Sequence, residues 1–277
     1  MNFNNIILQE QPFDIMANTY DEDFSHTHIG KLQREKVWEK LLPVLHTYNR
    51  HLDILEINCG TGEDALRLAA MGHSVIATDA SAVMIEKAKC KAGQFAGNNY
   101  KVQFIQCSFE GLQSHIFENR FDLVFSNFGG LNCIDEEALK VLSKTLSNLI
   151  TPGGHLFFVL ISRFCAWETG YYLLRGRFKT AFRRWQKQVS FTVSGNTIPV
   201  YYYSPASFKK LFHPEFAYIN SFAVGLFVPP SYLEPFFLKR QALLGKLSSL
   251  ENKLAVSSAM CRLSDHYCIV LKKNEQE

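Results

Sequence analysis

Two carboxylates frame a glycine turn in the first third of the chain. Glu56 stands inside the apolar run Leu52–Ile57, Gly60 and Gly62 follow it, and Asp79 lies just beyond a second apolar segment, Val75–Ala77. The first run fits a buried parallel strand, and the glycines let the backbone turn sharply and come close to a ligand. Glu63 to Ala70 then offers good helix formers with acids in the first turn, where the helix dipole favours them. Strand, turn, helix, strand and acid in this order put both carboxylates at the carboxyl ends of strands, where open α/β sheets bind ligands. Acids at that place attract ammonium groups and hydroxyl donors and repel phosphates.

Two nucleotide chemistries compete for this arrangement. Gly60-x-Gly62-x-x-Ala65, with Asp79 about 20 residues after the first glycine, fits the dinucleotide fingerprint, and by itself it suggests a nicotinamide oxidoreductase. Glu56 opposes that reading, because a carboxylate beside the turn repels a pyrophosphate. The run Glu56-Ile-Asn58-Cys59-Gly60-Thr61-Gly62 resembles the E-x-G-x-G-x-G loop of class I S-adenosylmethionine-dependent methyltransferases. Later segments resemble the same family in order. Phe121-Asp-Leu-Val-Phe-Ser-Asn127 is similar to its fourth strand and following loop, and Leu149-Ile-Thr-Pro-Gly-Gly-His155 to its turn into the fifth. The resemblance covers residues 50 to 161. Asn58 departs from the family's usual glycine, but asparagine tolerates the left-handed backbone region, and its amide is a further candidate cofactor contact.

The resemblance implies an S-adenosyl-L-methionine site with named parts. Asp79 would accept both ribose hydroxyls, followed by Ala80 and Met84 around the adenosine. Glu56 and the Cys59, Gly60 and Gly62 backbone would hold the methionine portion. Asn127 would face the reacting centre or the methionine amino group. Ser108 stands where many relatives carry an acid toward the adenine, and Phe109 would pack on the adenine face or in the core. Phe13-Asp-Ile-Met-Ala-Asn-Thr-Tyr20-Asp resembles the opening arm of small-molecule members, where Tyr20 and Arg34 would reach the methionine end. The alternative for that pair is a packing tyrosine and a surface arginine.

The elements that must position these groups follow from periodicity and punctuation. The expected fold is α/β: a Rossmann-like, seven-stranded, mostly parallel sheet with helices on both faces and an antiparallel last strand. An N-terminal helical arm spans 1–48, the cofactor-binding core 49–162, an aromatic-rich lid insertion 163–215, and the completion of the core sheet 216–277. Ile29–Leu45 and Lys239–Val256 read as helices, Ser81 and Asp135 as N-caps, Tyr218–Val228 as the sixth strand, and Asp265–Leu271 as the last. In the insertion, Phe164, Trp167, Tyr171, Leu174, Phe178, Phe182 and Trp185 recur at helical spacing, broken near Gly176. Arg175, Arg177, Lys179, Arg183, Arg184 and Lys187 accompany them, with Glu168 as the acid nearby. This reads either as a solvated basic face over a packing stripe, or as a lid that lines an apolar pocket and offers cations to an acidic group or an anionic membrane surface.

Composition sets the outer bounds. With 277 residues and 47% hydrophobic content, one elaborated α/β domain has ample core. No apolar run reaches a membrane-spanning length, and the N-terminus lacks the basic region of a signal peptide. Seven cysteines without a C-x-x-C pair argue against zinc or thioredoxin-like chemistry and for a reducing, cytoplasmic compartment; no metal site is expected. The net charge of +3 is too small to point to nucleic acid. The expected acceptor is a small molecule, aromatic or lipophilic and conceivably carrier-bound, methylated on oxygen or carbon. A non-catalytic S-adenosylmethionine-binding protein is the third alternative. No general base is identifiable among nine histidines, with His26, His28, His155, His213 and His266 all conceivable by position.

Overall fold

The computed structural model describes residues 12–94, 100–193, 196–254 and 258–274. The N-terminal segment read for a leader, 1–11, and part of the proposed arm lie outside these. Seven strands form one sheet: β1 (Asp53–Ile57), β2 (Ser74–Asp79), β3 (Val102–Gln106), β4 (Phe121–Ser126), β5 (Ile150–Ile161), β8 (Phe216–Val224) and β9 (His266–Lys273). Their order is β3-β2-β1-β4-β5-β9-β8. The pairs among β1 to β5 are parallel, whereas β9 runs antiparallel to both β5 and β8. The expected architecture is met, including the direction of the last strand. The sixth sheet strand begins two residues earlier than expected, and it ends earlier because Gly225 takes φ +73° and turns the chain away after Val224.

Helices cover both faces. On one lie α2 (His28–His46), α3 (Glu63–Ala70) and α4 (Ala82–Gln94), whose Val37, Trp38, Leu41, Leu68 and Ile85 pack on β1, β4 and β5. Before them runs the arm, α1 (Pro12–Ala17) and a π-helical turn Asp21–Ser25. The other face carries α5 (Glu136–Leu149), capped by Asp135, whose side chain accepts from Ala138 N. The insertion after β5 consists of α6 (Ala166–Leu174), α7 (Phe178–Ala181), the hairpin β6 (Gln188–Val193) and β7 (Asn196–Tyr201), and α8 (Pro205–Leu211). Gly176, at φ +68°, breaks the helical run where sequence places the break. Two further helices, α9 (Glu234–Phe237) and α10 (Gln241–Leu254), precede the last strand. Among the described residues no helix is long and apolar enough to cross a membrane.

Two buried acids hold the segment after β8. Glu251 of α10 accepts the backbone N–H groups of Gly225, Leu226, Phe227 and Val228 at 2.9, 3.2, 2.6 and 3.1 Å. Glu234 accepts His28 N and Ile29 N at 2.9 Å each, satisfying donors at the start of α2 that no helix carbonyl can reach. Removing Glu251 strands four donors, two of them in buried hydrogen bonds, and a buried unpaired donor costs about 1–3 kcal/mol. Glu251→Ala is therefore expected to lower the unfolding free energy by about 2–4 kcal/mol, and Glu251→Gln by less, in urea denaturation followed by circular dichroism.

Candidate active site

The glycine turn is built as its residue types demand. Asn58, Gly60 and Gly62 have φ of +52°, +54° and +80°, all in the left-handed region. Only glycine fits at Gly62 for a second reason: a Cβ there would lie 2.8 Å from Ala88 Cβ and 2.9 Å from the Phe104 ring. Gly62 thus packs α3 against α4 and β3, while Gly60 faces the site, with the Tyr20 ring 3.8 Å from where its Cβ would stand. Asn58 takes the left-handed conformation expected of it, but its amide is turned toward β4. It donates to Asn127 O at 2.9 Å and accepts from Ser126 Oγ at 2.5 Å, tying the two loops at the strand tips together.

Asp79 anchors the turn from the next strand. Its Oδ2 accepts Gly60 N and its Oδ1 accepts Ser81 N, each at 2.9 Å. Burial raises its pKa and these N–H groups pull it back. Glu56, 1% exposed, has one carboxylate oxygen without a hydrogen-bond partner. Burial first, and then the charges of Asp64 and Asp79, push its carboxyl well above the usual range, with Arg34 opposing. A buried acceptor left unpaired costs free energy, so its environment calls for a cationic partner.

Arg34 stands opposite. Its guanidinium bonds Asp64, reaches Ser25 Oγ at 3.5 Å, and lies 5.2 Å from the Phe128 ring centroid, while its Nε has no partner. Asp64 also accepts Trp38 Nε1 at 2.7 Å and Asn127 Nδ2 at 2.8 Å. The Asn127 amide is thus fixed between Asp64 and Phe128 N, not free to meet a ligand with both ends. Phe128 sits at φ +49°, a strained conformation for a bulky residue of the kind that clusters at functional sites.

One small cavity gathers Tyr20, Arg34, Glu56, Asn58, Cys59, Gly60 and Asn127 with Thr61, Glu63, Asp64 and Phe128. Sequence reading missed the last four. Asp64 read only as a first-turn helix acid, and the Gly129-Gly130 pair after Phe128 was the overlooked sign of a tight turn. The remaining expected residues lie around the rim or beyond. Gly62 and Met84 are packing positions and Ala80 is exposed. Ser108 caps a short turn by accepting Gly111 N at 3.2 Å, and Phe109 packs against the core beneath α5, so neither is drawn into the cavity. The arm closes the site from above. Asp21 accepts Thr61 Oγ1 at 2.6 Å and pairs with Lys91 at 2.7 Å, and Asp14 accepts Ser81 Oγ at 2.5 Å. The enclosed space is only ≈20 Å³, about one water, so a nucleoside-sized ligand needs the arm to move.

Beside Phe128 lies a histidine on the sheet itself. His266 opens β9 opposite Ile161 at the carboxyl end of β5, and its ring packs edge-on against Phe128 at 5.5 Å. Its Nδ1 lies 3.2 Å from Asp265 Oδ2. The buried Asp265 accepts hydrogen bonds from Gln33 Nε2 at 3.2 Å and Arg184 Nη2 at 2.7 Å. Burial alone would raise the Asp265 carboxyl; His266 and Arg184 outweigh it and hold it well below the usual range. Arg184, with Arg183, also grips Glu168. The insertion's basic stripe is therefore not a uniformly solvated face: Arg184 is buried and latches the insertion to the residues that follow β5 and precede β9.

A sheet of this order, with acids at the tips of β1 and β2 and a glycine turn between, fits a class I S-adenosylmethionine-dependent methyltransferase domain, and the comparisons with known proteins agree over the core. Residues 54–154 match the family model described as "Methyltransferase domain". The chain is 31% identical over 150 residues to the tRNA 5-carboxymethoxyuridine methyltransferase of Escherichia coli, covering 54% of this chain and 56% of that relative. It is 39% identical over 98 residues to the ubiquinone biosynthesis O-methyltransferase of Rickettsia akari, covering 34% of this chain and 37% of that relative. The matches thus span about half or less of the length of these curated relatives. The solved CcbJ methyltransferase from Streptomyces caelestis shares the fold over 96% of this chain and 98% of its own, with a TM-score of 0.61 at 15% identity. Since one relative is named for a tRNA substrate, the modest net charge does not exclude nucleic acid as a substrate.

Proposed function

We propose that the protein transfers a methyl group from S-adenosylmethionine to oxygen or carbon of a small, aromatic or lipophilic acceptor. The observation that carries this reading is the unpaired carboxylate oxygen of buried Glu56 facing the same cavity as Arg34, whose Nε is also unpaired. An α-amino acid group presents the complementary cation and anion. Arg34 would fork the carboxylate, Glu56 would take the ammonium, and Asp79 would accept the ribose hydroxyls with lone pairs not used by Gly60 and Ser81. A nicotinamide dinucleotide would bring phosphates to the Glu56 side of the turn, which disfavours the oxidoreductase alternative.

Bound S-adenosylmethionine supplies a methyl group on a positively charged sulfur that departs as a neutral thioether. The chain's own contribution is alignment and exclusion of water, worth about 7–11 kcal/mol when the acceptor is held in line. Phe128, Tyr20 and the arm would form the dry walls. For an acceptor with an O–H, His266 is the best-placed base: the Asp265 carboxylate 3.2 Å from its Nδ1 would stabilise the protonated ring, with Nε2 taking the proton.

Calorimetry tests the cofactor reading directly. Its pH dependence follows from Glu56. The carboxyl is raised in the free protein, so an ammonium that needs it ionised must expel a proton. Affinity is therefore expected to rise with pH through the Glu56 titration, and titrations in buffers of different ionisation enthalpy should give different apparent heats. Absence of S-adenosylmethionine binding would sink the proposal. Binding with no proton release would sink the Glu56 assignment alone. Tight binding without methylation across a metabolite screen would favour the non-catalytic alternative.

A further inference from the structure

The insertion and the loop after β8 meet in one apolar, cationic surface that sequence separates by about 60 residues. From Leu173 to Lys179 every residue is exposed, including Leu174 at 92% and Phe178 at 63%. The second contribution is Phe236 and Leu238, 51% and 49% exposed. Aromatic contacts join the two: Tyr232 lies 5.9 Å from Tyr171 and 6.2 Å from Tyr172, and Trp167 packs on Phe237 at 6.1 Å. Cations flank these side chains. Arg175 lies over Tyr171 at 4.5 Å and Arg240 over Phe236 at 4.0 Å, with exposed Arg177, Lys179 and Lys239 beside them. Among the described residues none of these five cations is in an ion pair, unlike Arg183 and Arg184 a few positions on.

We propose that this face docks the protein on an anionic lipid bilayer. Large apolar side chains at the tip enter the headgroup boundary while the unpaired cations meet lipid phosphates, the chemistry of an interfacial anchor. Solvent exposure of this many bulky apolar groups is costly for a freely soluble surface, and the exposed charged residues named beside them are all cations. The position adds a reason. Glu234, between Tyr232 and Phe236, caps α2 and bonds His28 Nδ1 at 2.8 Å, so the docking face adjoins the helix that carries Arg34 and the arm that seals the site. A lipophilic acceptor dissolved in the bilayer would reach the site from this side.

The test is co-sedimentation of the full chain with vesicles of phosphatidylcholine alone or mixed with phosphatidylglycerol. Binding is expected to the anionic vesicles, to weaken as salt rises, and to be at least about tenfold weaker on phosphatidylcholine alone. Each cation near an anionic bilayer contributes about a factor of five, so Arg175→Gln/Arg177→Gln/Lys179→Gln should lose about 100-fold. Leu174→Ser/Phe178→Ser should also release the protein, while circular dichroism and S-adenosylmethionine binding stay unchanged, since these residues touch neither core nor cavity. No binding to anionic vesicles overturns the proposal, as does self-association or protein capture in its place, or variants that bind as the parent does. Calorimetric binding of S-adenosylmethionine is read separately, so failure here leaves the methyltransferase reading standing.

Discussion

Asp79→Ala is expected to weaken S-adenosylmethionine binding by about 100- to 10,000-fold. A carboxylate accepting a hydroxyl contributes about 1.5–3 kcal/mol, and the ribose presents two. The substitution also removes the acceptor that holds Gly60 N and Ser81 N, so the glycine turn loses its anchor to β2. Asp79→Asn keeps one acceptor oxygen and should fall between the two. Both variants should fold, because Asp79 lies at a strand end and half-buried rather than in the packed core. The measurement is isothermal titration at fixed pH with the S-adenosylmethionine concentration varied. An Asp79→Ala affinity equal to the parent's would remove Asp79 from the site and with it the argument that acids at two strand tips share one ligand.

The second large effect concerns stability. Arg184→Met should cost about 3–5 kcal/mol, because it leaves Asp265 and Glu168 buried with a partner missing. Arg183 still serves Glu168, and His266 and Gln33 still serve Asp265, which keeps the loss from growing further. The pH dependence has a definite sign. Asp265 and Glu168 both have folded-state pKa values below their ordinary ones: burial raises each, but the facing His266 and arginines prevail. Their contribution to stability is therefore present above about pH 4 and is lost as pH falls below it. Urea midpoints measured from pH 7 downward should show this loss in the parent. Replacing Arg184, Glu168 and Asp265 together by Met, Gln and Asn should cost less than Arg184→Met alone, since no buried charge is then stranded. Equal stability of parent and Arg184→Met across this range would mean that the ion network does not hold the insertion.

Much of the first half of the fold was legible in sequence because its signals are local. The helix Glu63–Ala70 follows a glycine turn and stops before Gly72, so its bounds are those observed, and Asp135 announces the start of the helix after it. Gly60 and Asp79 were legible for the same reason: a left-handed turn and an acid at the next strand tip are dictated within about 20 residues. The partners of Arg34 were not. Its ion pair with Asp64 joins α2 to α3, and the Trp38 and Asn127 bonds to the same carboxylate depend on how the arm lies over the sheet. Ser108 and Phe109 show the reverse case. Their position after β3 was read correctly, but local turn chemistry and core packing take up the side chains assigned to the adenine.

By itself the sequence determined the alternation of strands and helices, the turn that must be left-handed, and the acids that follow it. Those are set by backbone sterics and by hydrophobic period, which act between near neighbours. Only the tertiary structure decided which charges are solvated and which are buried. Arg175 and Arg184 look alike in one basic stripe, yet the first lies open beside exposed Leu174 while the second is enclosed against Asp265, 81 residues away. The reason is that a charge's partner and its dielectric surroundings depend on which distant surfaces meet, and hydrophobic burial of the whole chain fixes that, not the residues beside it.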